Sequence, residues 1–120
     1  MERIAIPVFN SRVAPVLDTS NLLIVMDFEE GQELARRELS LEMMSLFERV
    51  ELLCRLEVNR VICAAISETL FRFIESKKIG LISGVVGELD EIIHAYFCEQ
   101  LDDARFSMPG MLKPMTKETR

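Results

Sequence analysis

The sequence contains no long apolar run, no cluster of basic residues and no paired-cysteine motif. No apolar stretch approaches the length of a membrane-spanning helix, and no charged-then-apolar signal peptide leads the chain. We therefore expect a cytoplasmic protein without a membrane partner. The formal net charge is −6 and the basic residues are scattered, which disfavours binding to a phosphate backbone and so to nucleic acid.

The chain is also poor in the side chains that most often bind metals. Its three cysteines, Cys54, Cys63 and Cys98, are an odd number at wide spacing, which is not a disulfide framework, and no C-x-x-C zinc spacing is present. We expect all three thiols to be reduced. His94 is the only histidine, so a Ser-His-Asp or Cys-His nucleophile set has little support.

What the chain does contain is enough apolar sequence for one ordinary core. Hydrophobic residues make up 49% of 120 residues, which predicts a single folded domain that needs no metal or disulfide to stabilise it. We expect this domain to cover residues 1–101. Residues 102–120 hold two prolines, a glycine and mixed charge, which predicts an irregular C-terminal tail.

The hydrophobic pattern predicts eight elements in the order β-β-β-α-β-α-β-α. Strands are expected at 3–8, 22–28, 32–39, 58–66 and 79–83, and helices at 41–57, 68–78 and 88–101. Gly31 is expected to supply a positive φ in a hairpin turn, and charges on both faces of 32–39 are typical of an edge strand. A meander followed by right-handed crossovers predicts an α/β protein with three layers, α/β/α, around a mixed five-stranded sheet.

Helical spacing predicts which residues face the core. Met43, Phe47, Val50 and Cys54 recur along the first helix, which predicts that they form its buried stripe and that Cys54 is a core residue. Met44, Leu46 and Leu53 are expected to widen this stripe. Ser67 is the expected N-cap of the second helix.

The loop after the first strand is the predicted centre of a binding site. It follows an apolar strand that contains Pro7, and loops at strand ends commonly carry binding residues. Ligands of open α/β sheets sit beyond the carboxyl ends of the parallel strands, where we expect this loop to meet the turns 63–67 and 83–87. The candidate ligand-binding residues are Asn10, Ser11, Arg12, Asp18, Cys63, Ser67, Ser83, Gly84 and Gly87.

The candidate residues differ in the ligand that they suit, and some of them also have a simpler structural explanation. Arg12 is suited to a carboxylate or phosphate, and the two turns lead into helix N-termini, whose N–H groups favour an anion. Cys63 is a candidate metal ligand, but a free cysteine is often a small buried residue. His94, on the flank of the third helix, is a second metal candidate and can pair with Cys98 one turn later, although a surface histidine without a role is the favoured explanation.

Three segments resemble a known family. Residues 4–20 (I-A-I-P-V-F-N-S-R-V-A-P-V-L-D-T-S), 61–67 (V-I-C-A-A-I-S) and 106–110 (F-S-M-P-G) resemble, in the same order, the dinitrogenase iron–molybdenum cofactor biosynthesis (nitrogenase accessory factor-like) proteins. The resemblance implies a ribonuclease H-like motif. It also implies a non-catalytic protein that binds or carries an iron–sulfur or iron–molybdenum cofactor precursor, with a cluster-assembly protein as a further partner.

Two other functional classes stay open at this stage. A protein-interaction or regulatory module would use the charged edge strand and the Met-Pro-Gly tail as contact surface. A divalent-metal nuclease would need several converging carboxylates, for which Asp18 and Asp27 are available while the first strand carries no acid. For each class we expect a monomer or a homodimer.

Overall fold

The computed structural model describes residues 1–101, 104–107 and 115–117. Its strands are β1 (Glu2–Phe9), β2 (Arg12–Val13), β3 (Leu22–Glu29), β4 (Gln32–Ser40), β5 (Arg60–Ile62), β6 (Gly80–Ser83) and β7 (Met115–Lys117). Its helices are α1 (Leu46–Arg55), α2 (Glu68–Ser76) and α3 (Leu89–Phe97), with short 3-10 turns at Leu17–Thr19 and Ala104–Phe106. All eight predicted elements are present in the predicted order. Within the described ranges, none of the helices has the length and apolarity needed to cross a membrane.

The strands form one mixed sheet in the order β4-β3-β1-β5-β6-β7. The first three predicted strands pair antiparallel as β1-β3-β4, and β5 and β6 extend the sheet in parallel from β1. Two short strands were not predicted: β2 folds back on β1, and β7 pairs antiparallel with β6. The predicted edge position of β4 is confirmed, since it pairs with β3 alone among the described strands.

Alternation along the strands divides the core into two halves. Ile4 and Ile6 of β1 face one side of the sheet, where they pack with residues of α3 such as Ile92. Ala5 of β1 faces the other side, which is covered by α1 and α2 through residues such as Leu53 and Leu70. This arrangement confirms the three-layer α/β/α fold.

Pro7 is tolerated in a central strand because of where β5 ends. The ladder between β1 and β5 covers only Ile4 and Ala5, so it stops before Pro7. The Pro7 carbonyl faces that same side and accepts a hydrogen bond from Ala14 N at 2.8 Å. The backbone N–H and C=O of one strand residue point to the same side. The N–H that Pro7 lacks would therefore point to a position where β5 has no acceptor carbonyl, so no ladder hydrogen bond is lost.

The first helix is shorter than predicted and buries only part of the predicted stripe. Ser45 accepts from Glu48 N while the Glu48 side chain accepts from Ser45 N, so a capping box starts the helix at Leu46. Met43 precedes it with a φ of 62° and is 99% exposed. Phe47 and Cys54 are exposed as well, so the prediction that Cys54 is a core residue was wrong. The buried helix residues are Arg49, Val50 and Leu53.

The segment after α3 contains more structure than the predicted irregular tail. The strand β7 extends the sheet beside β6, and the 3-10 turn Ala104–Phe106 places Phe106 in the core at 3% exposure. The sequence contains no periodic pattern there, because both elements are short and depend on contacts with distant residues. The Met-Pro-Gly sequence and Met111 lie outside the described residues.

Candidate functional site

The predicted loop and turns do meet at the carboxyl ends of the parallel strands. Ala65 exchanges backbone hydrogen bonds with Leu17 and Pro15, at 2.9 and 3.0 Å. Val13 N donates to Gly87 O at 2.9 Å, and Leu89 N donates to Ser11 O at 2.9 Å. The loop is thus bonded directly to both turns, so the chain itself fills the crevice in which a ligand was expected.

Backbone N–H groups expected to bind an anion already have partners. Ser67 N donates to Asp18 Oδ1 at 2.9 Å, which places a carboxylate of the chain at the N-terminus of α2. The Ser67 hydroxyl caps the same helix, as predicted, by accepting from Leu70 N at 3.1 Å. At the second turn, Gly84 N donates to the carbonyl of Ala64 at 2.8 Å.

Two candidates on β5 and β6 point into the protein. Cys63 has no exposed surface, and burial, reinforced by the nearby Asp18 charge, raises the pKa of its thiol to about 12. A protonated core thiol is a poor metal ligand, since the thiolate is the ligating form. Ser83 is also buried, at 7% exposure. Gly87, with a φ of +140°, packs so closely that a Cβ there would lie 3.2 Å from Ile92.

The remaining loop candidates form a tight hairpin tip. Asn10 and Ser11 have φ values of 51° and 65°, which is the two-residue turn that matches the twist of antiparallel strands. Phe9 and Arg12 face each other across this hairpin. Both are exposed, and the Arg12 guanidinium has no hydrogen-bond or ion-pair partner among the described residues. It is therefore a cation available to a ligand.

An open pocket of about 550 Å³ lies at the same edge of the sheet, displaced toward β3 and β4. Val8, Leu22 and Ser40 form its base, because they occupy one row across β1, β3 and β4. The full lining is Val8, Phe9, Ala14, Pro15, Val16, Thr19, Ser20, Asn21, Leu22, Ser40 and Glu42. The pocket is mostly apolar with hydroxyl and amide groups, and Glu42 is the one ionisable side chain among these lining residues.

The pocket wall is held in place by Arg49, which the sequence reading missed. Although only 6% exposed, this side chain donates to four backbone carbonyls, those of Leu17, Ser20, Leu41 and Met44, at 2.7 to 3.3 Å. Desolvation by burial lowers its pKa from the usual value. An arginine in an amphipathic helix normally lies on the face exposed to solvent. Arg49 precedes Val50 directly and Leu53 by four residues, and this spacing from two apolar residues is what the sequence offers to indicate that Arg49 is buried.

The metal candidates are separated from this pocket. His94 and Cys98 are both exposed on α3, and their Nε2 and Sγ atoms lie 3.6 Å apart. His94 borders a different cleft, and Cys63 is in the core on the opposite face of the sheet. Over the described ranges, three or more histidine, cysteine or acidic side chains nowhere come together as a metal-ligand set.

The carboxylates considered for a nuclease do not converge. Asp27 binds Arg3 at 2.5 Å near the start of β1, whereas Asp18 lies beyond the opposite end of that strand and caps α2. Two-metal hydrolysis requires acids at one point, which this pair does not provide.

No family model matches the chain, and no curated protein matches its sequence. Solved structures do share its fold. A "putative dinitrogenase" from Methanocaldococcus jannaschii superposes with a TM-score of 0.72 at 11% identity, covering 98% of this chain and 96% of that one. The apo form of the orange protein from Desulfovibrio gigas gives 0.69 at 13% identity, covering 96% and 97%. A "putative NifB protein" from Thermotoga gives 0.65 at 18% identity, covering 83% and 90%. At these identities the similarity establishes a common fold.

Proposed function

We propose that this protein is a non-catalytic binding protein that holds an iron–sulfur or iron–molybdenum-type metallocluster, or a related anionic ligand, at the hairpin end of its sheet. The observation that carries the proposal is the open pocket of about 550 Å³. Arg12 lies opposite the lining residue Phe9, and its guanidinium has no partner among the residues that the structure describes. Its volume lies within the range of about 300–1,000 Å³ typical of small-ligand sites. The ligand class is supported by the resemblance in sequence and by the nitrogenase-related names of two proteins with the same fold.

Apolar residues of this site give the pocket its shape, and charged residues act on the charge of the ligand. Phe9 and Leu22 provide apolar walls, and both are partly exposed in the absence of a ligand. Arg12 stands directly opposite Phe9 in the hairpin, so its side chain extends from the same face and reaches an anion at the pocket mouth. Glu42 opposes an anion, and Arg12 has to offset it. Cys63 is not part of this site, because its thiol is buried.

Anaerobic addition of a preassembled anionic iron–sulfur cluster tests the proposal, because the pocket lining holds no cysteine or histidine to ligate iron assembled in place. We expect the metal-free protein to acquire a visible chromophore, and Asn21→Trp, which fills the pocket, to prevent it. Gln32→Trp is the matched control, since it places the same ring on an exposed residue at the other end of the β3–β4 hairpin. A colourless wild-type protein, or equal incorporation in both variants, would refute cluster binding in this pocket.

Charge variants separate an anionic ligand from a neutral one. We expect Arg12→Ala to weaken binding and Glu42→Gln to strengthen it, because Glu42 lines the pocket and the oppositely charged Arg12 lies across the hairpin from the lining residue Phe9. If Arg12→Ala and Glu42→Gln change the binding affinity in the same direction and by the same factor, the ligand is not an anion.

An interaction module is the second candidate, favoured by the surface of β4. All residues of this nine-residue strand except Leu39 are exposed, including Leu34 at 56%. Such an edge can accept a strand from another chain. Stable dimers of the metal-free wild-type protein that dissociate in Leu34→Lys would favour this function over cluster binding.

A further inference from the structure

His94 and Cys98 form a preformed pair on the outer surface of α3. They lie one helical turn apart, and both side chains are exposed. Cys98 is the C-cap residue of α3, and its N donates to His94 O at 3.0 Å, so helical hydrogen bonding fixes the spacing of the pair. The Sγ and Nε2 atoms are 3.6 Å apart.

This separation is the one that a shared metal ion requires. Zinc binds thiolate sulfur at about 2.3 Å and imidazole nitrogen at about 2.0–2.1 Å in tetrahedral geometry. Two ligands at those distances and at the tetrahedral angle are about 3.6 Å apart. The hydrogen-bonded contact of 3.6 Å between Sγ and Nε2 thus already has the spacing of two ligands of one ion. A sulfur and an imidazole nitrogen together are also the ligand set that zinc and related borderline metals prefer.

The surroundings of His94 favour a cation and leave room for its water. His94 borders an open cleft of about 450 Å³ together with Asp90 and Glu91. Asp90 is one turn before His94 on the same helix face, and it also accepts from Arg36 at 3.2 Å. Arg105 is the basic residue of the cleft, and its guanidinium stacks on Phe106.

We propose that His94 and Cys98 chelate one divalent cation of the zinc class, with its remaining coordination positions open to water. The site is separate from the hairpin pocket, because the two lining sets share no residue. Cys54 provides an internal comparison: it is exposed on α1 but has no histidine beside it.

Cobalt titration of the reduced, metal-free protein tests this site. Co²⁺ occupies zinc sites and gives a thiolate-to-metal charge-transfer band that reports the cysteine ligand directly. We expect one Co²⁺ per wild-type chain, displaced by Zn²⁺ with loss of the band. Cys98→Ser should abolish the band, and His94→Gln should weaken Co²⁺ binding by at least about tenfold, since even outer-shell changes cost that much. Cys54→Ser should bind like the wild type.

A charge-transfer band that survives Cys98→Ser would overturn the proposal, and so would one that Cys54→Ser removes or the absence of the band from the wild-type protein. Unchanged affinity in His94→Gln would overturn it as well. All three positions are exposed, so far-ultraviolet circular dichroism should show that each variant folds. The pocket variant Asn21→Trp should bind Co²⁺ normally, which separates failure of this site from failure of the proposed function.

Discussion

At the scale of single residues, the pair Arg3–Asp27 makes folding dependent on pH. Two guanidinium nitrogens of Arg3 donate to the two Asp27 oxygens, at 2.5 and 3.2 Å. This hydrogen bonding, with a further contribution from the Arg3 charge, lowers the pKa of Asp27 below its ordinary value of 3.8. A carboxyl with a depressed folded pKa stabilises the protein above the unfolded value, and that contribution is lost as the pH falls through the folded value.

We therefore expect the stability difference between wild type and Asp27→Asn to be constant above the ordinary carboxyl pKa and to shrink below it. Urea unfolding between pH 7 and pH 2 measures this directly. Glu29→Gln, which neutralises an exposed carboxylate at the end of the same strand, is the control and should keep the wild-type slope. Parallel curves for wild type and Asp27→Asn would contradict the prediction.

Arg49 supports a different prediction at this scale. Its guanidinium is the hydrogen-bond donor for carbonyls of both segments beside the pocket, 17–20 and 41–44. Replacing it by Met keeps the volume but removes a charged donor from all four carbonyls. Those of Leu17 and Leu41 keep hydrogen bonds from Ser20 and Met44, whereas those of Ser20 and Met44 lose the bond from the guanidinium. We expect Arg49→Met to cost about 3 kcal/mol of the free energy of unfolding. Arg55→Met on the exposed side of the same helix should change it by less than about 0.5 kcal/mol. If denaturant unfolding shows that Arg49→Met and Arg55→Met lose the same free energy of unfolding, the structural role of Arg49 is contradicted.

At the scale of elements, α1 shows what a periodic pattern can and cannot determine. Of the predicted stripe, Val50 and Leu53 are buried, whereas Met43, Phe47 and Cys54 are exposed. Met43 lies before the helix, because the sequence Ser45-Leu-Phe-Glu48 is a capping box that starts it at Leu46. The capping box therefore indicates where the helix starts, and hydrophobic spacing alone predicts only part of its buried face.

The β3–β4 turn allows an element-scale prediction. Glu30 and Gly31 have φ values of 52° and 78°, the geometry of a two-residue hairpin turn that prefers Asn-Gly. Asn tolerates the left-handed region better than Glu, so Glu30→Asn should raise the free energy of unfolding by about 0.5 kcal/mol. Gly31→Ala should lower it by about 1 kcal/mol through backbone strain alone, because a Cβ there would meet nothing within 4 Å. Thermal unfolding measures both.

The control for this turn is Glu29→Asn, one residue earlier and within the extended strand. It should not be stabilising, because Asn has a low strand propensity and Glu29 does not need a positive φ. A gain at Glu29 as large as at Glu30 would show that the effect is not the turn geometry.

At the scale of the whole molecule, local patterns and distant contacts determine different features. Alternation and helical spacing predicted the eight main elements and the three layers, because burial of one face is recorded in each segment separately. The pocket was not predictable in the same way. Its position follows from backbone hydrogen bonds that tie Ala65 to Pro15 and Leu17 and so close the crevice over β5 and β6. No side-chain pattern records such bonds.

The segment beyond α3 also depends on contacts with distant residues, and this dependence can be tested. Phe106 is buried in the core beside Gly87, and its carbonyl accepts from Val86 N at 2.8 Å. We expect Phe106→Ala to lower the free energy of unfolding by about 3–5 kcal/mol, the cost of removing a buried aromatic ring. A chain ending at Leu101 should lose more, because it also lacks β7 and leaves the β6 edge open.

Ser107→Ala is the matched control for Phe106→Ala in denaturant unfolding. The Ser107 hydroxyl is buried without a hydrogen-bond partner among the described residues, so removing it should be neutral or slightly stabilising. If the shortened chain and Phe106→Ala both unfold like the wild type, residues 102–120 are a dispensable tail. If both are destabilised while Ser107→Ala is not, the segment is part of the domain, and the open pocket at the hairpin end belongs to a fold that needs almost the whole chain.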